Sequence, residues 1–390
     1  MARRLRALAG PHLAVAGVGG VWLVGNLLAL TGSSPLAVGV VVAQVVALVG
    51  AAVLWLVVTR VESLPVARLV MLGWAAKMVG TVVRYVVLEG LYGGTGDASR
   101  YTFVGGVLAE RFRRGDLAPY QPDRTLLGTQ FMEMATGALF VFTGPTKIGG
   151  FFVFSAVGFV GLYLTFRAWR RAMPEADPRR LAAFGFLLPS MAFWPSSIGK
   201  EAVMVLGIGL VANGAGRQWT GARGGMALVA GGLGVTALVR PHITLLLVAA
   251  LLGAVMVTRW DAVGSSDPLR KVASIGILVA LLIASVVLAN SFFEIDTSSG
   301  EQLSDVFEQT EERTDRGGST FETSGPLLFP WTVVTVLFRP FPFEATNFQT
   351  ALTSLETTFL LVVTIARRRV LGRLVRSCRQ LPMVAFVLVF

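Results

Sequence analysis

The sequence is poor in the residues that most soluble enzymes work with. Only 15% of its 390 residues are charged, and it holds two histidines and a single cysteine. A soluble domain carries roughly 25% charged residues, so a water-soluble fold is excluded. Cys378 has no partner for an intrachain disulfide and lies in a basic stretch expected in the cytoplasm, which argues against redox chemistry. His12 and His242 are too few for a His-rich metal site. The chain also lacks G-x-x-x-x-G-K-[ST], H-E-x-x-H, a CxxC set, a haem motif and G-x-S-x-G. It has no fixed-period repeat and no appended soluble domain.

What it has is apolar surface: 54% of residues are hydrophobic. They gather into runs of about 17 to 25 residues, enough for a helix to cross ~30 Å of hydrocarbon. The fold class expected is an all-α polytopic membrane protein of about ten or eleven transmembrane helices, one integral-membrane domain over residues 1–390. Spans are expected at 13–32, 36–58, 67–90, 148–168, 181–196, 201–214, 225–240, 242–258, 271–291 and 350–366. The basic start Met1-Ala-Arg-Arg-Leu-Arg leads into a long run without a small-x-small cleavage site, so the first span is expected to stay uncleaved. From residue 381 the chain has a run half long enough to span, ending on a half-buried helix or continuing into further spans of a longer protein.

The net charge of +11 would suggest a nucleic-acid partner in a soluble chain, but here it is topological. Arg3, Arg4 and Arg6, Arg60 and Arg68, the cluster Arg167 to Arg180, Arg217 and Arg223, Arg259 to Lys271, and Arg367 to Arg379 all fall on one side. This holds provided that 129–144 is not a full span. The positive-inside rule therefore makes that segment, which carries Glu133, a re-entrant or interfacial helix, with the N-terminus cytoplasmic. Two large extracytoplasmic loops follow, at 91–147 and 292–347. Between Glu294 and Glu322 the second holds nine acids against Arg313 and Arg316, too polar to fold alone and expected to be a mobile loop that orders on a ligand.

Candidate site residues stand where this layout brings polar groups to the outer face. In Gly93-Gly-Thr-Gly-Asp97-Ala-Ser-Arg100-Tyr101 the glycines allow a tight exit from a span, and an amphipathic helix with Arg111, Arg113 and Arg114 opposite its apolar face follows. Asp97 stands at the N-cap position and either only caps the helix or takes a proton from an acceptor hydroxyl, with Arg100 or Tyr101 beside it for an anionic or sugar group. Lys200 and Glu201 follow Trp194 and Pro195 at the outer end of two short helices. They are either an interfacial lysine near an aromatic belt or a cationic site for a lipid phosphate with Glu201 orienting it. Arg240-Pro-His242 places an arginine outside, as a headgroup anchor or as a fork for phosphate oxygens, with His242 structural or a proton shuttle. Arg339 and Glu344 flank Pro-Phe-Pro-Phe, an interface anchor or a surface for an acyl chain or sugar ring. Lys77 and Arg84 share a face of the third span, which points them into the bundle, where they pair with carboxylates or line a phosphate path.

The first external loop, with an acid followed at +4 by tyrosine and a helix ending in Arg-x-Gly, resembles that of the GT-C glycosyltransferases. These are multispan enzymes that transfer sugars from polyprenyl-phosphate carriers. Pro189-Ser-Met-Ala-Phe-Trp194-Pro-Ser followed by Glu201 is similar to the Pro-x-x-x-Phe-Trp-x-Ser turn and acid between two short spans of that superfamily. Arg339-Pro-Phe-Pro-Phe-Glu344 resembles an Arg-Pro-Phe-x-x-Glu signature of bacterial polysaccharide-assembly membrane proteins. Asp-x-Asp, Glu-x-Asp and a paired Asp are missing from the first loop, so no cofactor is firmly implied and a divalent metal has no motif behind it.

The resemblance implies a plasma-membrane glycosyltransferase of cell-envelope polysaccharide assembly with its site on the extracytoplasmic side. Its partners would be a polyprenyl-phosphate-linked sugar donor, a glycan or lipid acceptor and membrane lipids, and no nucleic acid. Asp97 would deprotonate the acceptor hydroxyl, with Glu201 also catalytic. Arg100, Tyr101, Lys200, Arg240, His242, Arg339 and Glu344 would bind substrate. Three rivals stay open: an O-antigen-polymerase-like or ligase-like enzyme, a transporter or flippase for an anionic lipid-linked substrate, and a noncatalytic envelope scaffold.

Overall fold

A computed structural model describes Asn26 and residues 34–123, 125–258, 268–293, 329–345 and 348–390. Apart from Asn26, the expected first span at 13–32 lies outside the described residues, as does most of the acidic loop. Every regular element among the described residues is helical. Three helices are long and apolar enough to cross a membrane, or four if a pair bent by 72° counts as one span. The chain forms two compact units: residues 1–160 with 192–203, and residues 161–191 with 204–390.

The first unit contains α1 (Pro35–Val58), α2 (Leu64–Gly90), α3 (Asp97–Arg113), α4 (Thr129–Thr143) and the start of α5 (Lys147–Ala172). Helix α1 starts where Ser34 Oγ accepts from Ala37 N–H at 3.1 Å and Pro35 presets the first turn. The short turn after Val58 returns the chain into α2, which approaches α1 closely at Gly50. A Cβ there would stand 2.5 Å from the Trp74 ring. The Trp74 indole N–H donates to the Ala47 carbonyl at 3.0 Å, and its ring meets Phe159 edge-on at 5.2 Å. Small residues let these apolar helices close on one another, because in lipid their association depends on packing rather than on water exclusion.

Helices α3 and α4 cross through facing glycines. A Cβ on Gly105 would stand 2.7 Å from Thr136 Cγ2, and one on Gly137 would stand 2.8 Å from Leu108 Cβ. The 15 residues of α4 rise only about 22 Å at 1.5 Å each, short of the ~30 Å hydrocarbon layer. Its face bearing Gln130, Glu133 and Thr136 is buried.

The second unit takes in the end of α5 and α6 (Pro178–Phe186), α7 (Pro189–Phe193) apart from its last two residues, and most of α8 (Lys200–Trp219). It continues with α9 (Gly225–Val239), α10 (Pro241–Val257), α11 (Pro268–Phe293), α12 (Phe329–Phe338), α13 (Phe348–Ala366), α14 (Arg368–Arg376) and α15 (Pro382–Val389). Ala168, Val211, Leu233, Leu247, Leu251, Met383 and Phe386 belong to its core. Glycines again set the spacing: a Cβ on Gly232 of α9 would stand 2.6 Å from the Gly207 carbonyl oxygen of α8. The expected run 181–196 is two short helices interrupted before Pro189, since a proline has no N–H to donate to the helical ladder.

Candidate functional site

The polar groups of the first unit meet around the start of α3. Gly93, Gly94 and Gly96 take φ of 57°, 70° and 113°, left-handed values that favour glycine, and they turn the chain from α2 into α3. Gly96, rather than Asp97, occupies the N-cap position, which corrects the expected placement by one residue. Asp97 is the first helical residue, is exposed and makes no hydrogen bond among the described residues. Its carboxylate is stabilised by the positive end of α3 and remains open to solvent.

One turn further, Arg100 and Tyr101 point to different partners. Arg100 Nε donates to Glu133 Oε1 of α4 at 2.7 Å, and this bond raises the guanidinium's pKa. Tyr101 is fully buried, which together with the Asp97 charge pushes its phenol up. Its hydroxyl lies beside that of Thr129 without the geometry of a hydrogen bond, and it has no partner among the described residues. A buried hydroxyl left in this way costs about 1–3 kcal/mol, which a bound ligand or water would recover.

Lys200 and Glu201 start α8. Lys200 Nζ donates to Thr129 Oγ1 at 3.2 Å, so Thr129 links the lysine to the neighbourhood of Tyr101. The Glu201 charge acts on both Tyr101 and Arg84. Arg84 lies over the rings of Phe193 and Trp194, 4.9 and 5.0 Å from their centroids. An aromatic-held guanidinium is fixed in place while its N–H groups remain usable. Asp97, Arg100, Tyr101, Lys200 and Glu201 thus form one neighbourhood built from α3, α4 and the start of α8.

Beneath it, a hydrogen-bonded set ties α2 to α5 and to the turn before α8. Lys77 Nζ donates to the Pro195 carbonyl at 2.8 Å, and Thr81 Oγ donates to Ser155 Oγ at 2.7 Å. Ser155 Oγ donates in turn to Ser196 Oγ at 3.3 Å. Lys77 thus has a carbonyl among its partners, and Glu89 pairs with Lys147 at 2.6 Å.

The remaining candidates belong to the second unit. Arg240 is the half-buried hinge residue between α9 and α10, with His242 in the first turn of α10. Arg339 Nε donates to both oxygens of Glu344, at 2.8 and 3.0 Å, and Phe341 N–H donates to Glu344 Oε2 at 2.9 Å. These two candidates therefore hold each other.

Three participants escaped the sequence reading. Glu133 stood out as an acid in an apolar run, but its partner on α3 is visible only once the helices are paired. Thr129 carried no signal. Glu356, nine-tenths buried on α13, accepts from Ser190 N–H at 2.7 Å and from Ser190 Oγ at 2.5 Å. A lone acid within an apolar run was its signal. Among the described residues, no group of three or more His, Cys, Asp or Glu side chains could hold a metal ion. Comparison of the chain with family models, curated proteins and solved structures finds no match.

Proposed function

We propose that this chain is a polytopic membrane glycosyltransferase of the GT-C type, which moves a sugar from a polyprenyl-phosphate carrier to a glycan or lipid acceptor. The observation that carries the reading is the grouping of an exposed carboxylate, Asp97, with the Lys200 ammonium and the unpartnered Tyr101 hydroxyl. A base, a cation and a hydrogen-bonding group are what transfer from a phosphate leaving group requires. The acceptor oxygen attacks the anomeric carbon while its proton passes to Asp97. The bond from that carbon to the phosphate oxygen breaks, and the electron pair leaves with the polyprenyl phosphate, whose charge Lys200 stabilises. Tyr101 donates to a substrate oxygen. Glu201 orients Lys200 or a sugar hydroxyl.

In this reading the chain has about ten or eleven spans in the plasma membrane, with α3 and α4 on the extracytoplasmic side. The shortness of α4 and the arginines distributed to the other face support that orientation. The reaction as proposed needs only residues of the first unit. Arg339 would have to exchange Glu344 for phosphate to take part.

The test is to reconstitute the full chain in liposomes with radiolabelled polyprenyl-phosphate-linked hexoses and pentoses and to follow polyprenyl phosphate released per sugar transferred. Equal amounts of the two products support transfer. Movement of the labelled lipid between leaflets without a change in mass would establish transport instead.

A further inference from the structure

We infer that α14 is an interfacial helix that binds the anionic headgroups of the membrane leaflet it lies against. The turn at Arg367 bends the chain by 72° between α13 and the helical segment that follows, so α14 leaves the direction of the apolar helix before it. Over residues 367–379 the chain carries six arginines, at 367, 368, 369, 373, 376 and 379, and no acid follows Glu356. All six are exposed, and none forms an ion pair among the described residues.

The two faces of α14 are cleanly divided. At about 100° per residue, Arg368, Arg369, Arg373 and Arg376 fall within an arc of about 140°, and Val370, Leu371, Leu374 and Val375 fall within the opposite one. Val370, Leu371 and Val375 are 47%, 38% and 46% exposed, so most of the apolar face is open. Arginines are strongly disfavoured at mid-membrane depth, which keeps this helix out of the hydrocarbon. The far end is held: Cys378 packs against the buried core that includes Met383 and Phe386. The helix is thus fixed at both ends, with a basic and an apolar face open.

A leaflet surface satisfies both faces at once, with phosphates for the arginines and acyl chains for the apolar side. A nucleic acid would answer the arginines and leave the apolar face bare. A second copy of this helix would bring six arginines against six. The inference needs only a membrane-embedded chain and is independent of any transferase activity.

The test uses the full chain with Cys378→Ser and Val375→Cys, the new cysteine carrying a bimane probe. It is reconstituted in phosphatidylcholine vesicles with 0 or 30 mol% phosphatidylglycerol, with brominated lipid as quencher. Quenching should be stronger with phosphatidylglycerol, and 1 M salt should remove the difference. In R369Q/R373Q/R376Q the preference for the anionic vesicles should fall at least about tenfold, since each arginine contributes on the order of 1 kcal/mol at an anionic surface. The matching triple lysine variant should keep it. Quenching of the parent chain that ignores phosphatidylglycerol and salt would overturn the inference, even if the glutamine variant fails to insert. Protection of the probe by an added oligonucleotide or acidic protein, with no lipid dependence, would overturn it as well.

Discussion

Arg100 and Glu133 join α3 to α4 through a 2.7 Å bond between a guanidinium whose side chain is 44% exposed and a carboxylate that is 1% exposed. The two ends of this pair are unequal. Arg100 without its partner would still be solvated, whereas Glu133 without its partner would be a buried charge facing apolar helices.

Arg100→Ala should therefore destabilise the chain more than Glu133→Gln does. The full cost of breaking a buried pair is about 3–5 kcal/mol, and solvent access on the arginine side reduces it to about 1–2 kcal/mol. Thermal unfolding in detergent checks this. The double variant Arg100→Ala/Glu133→Gln should recover part of the loss, and a double variant no more stable than Arg100→Ala would contradict the asymmetry.

Two adjacent glycines of α9 should respond oppositely. Gly232 has the Gly207 carbonyl at 2.6 Å from where its Cβ would stand, while Gly231 has nothing within 4 Å. Gly232→Ala forces the helices apart and should cost about 1–3 kcal/mol. Gly231→Ala should leave stability unchanged or raise it by up to about 1 kcal/mol. Unfolding midpoints of the two variants make the comparison.

Most helices could be read from the sequence because their signal is local. An apolar run bounded by Ser34-Pro35 or Asp177-Pro178 states both its length and its start, and the observed limits of α1, α2, α5, α9 and α10 lie within a few residues of the expected runs, apart from the C-terminal end of α5. The break at 187–188 had its signal in Pro189. The site was legible one side chain at a time: Asp97, Arg100, Tyr101, Lys200 and Glu201 are all polar groups at the ends of apolar runs. Their grouping was not legible, because it depends on α3 crossing α4 through Gly105 and Gly137, a contact between residues far apart in sequence. The pairings Arg100 with Glu133 and Glu356 with Ser190 were hidden for the same reason.

Glu356 and Ser190 should show strong coupling. Glu356→Ala strands the Ser190 N–H and hydroxyl, so it should cost about 1–3 kcal/mol, and Ser190→Ala about 1 kcal/mol. A double-mutant cycle by chemical unfolding should give a coupling of at least about 0.5 kcal/mol. Additive effects would mean that the two bonds contribute nothing to stability.

Tyr101→Phe should separate function from stability. It removes a buried hydroxyl that has no partner among the described residues, so the variant should be as stable as the parent or slightly more stable, while transfer activity falls. Because burial raises the folded-state pKa, the folded chain keeps a phenol proton that the unfolded chain releases above about pH 10. Stability should therefore drop as pH rises past that value, and this part of the drop should vanish in Tyr101→Phe. Unfolding followed from pH 7 to 11 in both proteins gives the answer.

The most direct measurement is the rate of polyprenyl phosphate release by Asp97→Asn in liposomes. The Asp97 side chain is exposed and makes no hydrogen bond among the described residues, so the variant should fold, insert and unfold like the parent. Loss of a general base should lower the rate by about 10²–10⁴-fold. An inserted Asp97→Asn protein that releases polyprenyl phosphate at the parental rate would contradict the assignment of Asp97 as the base.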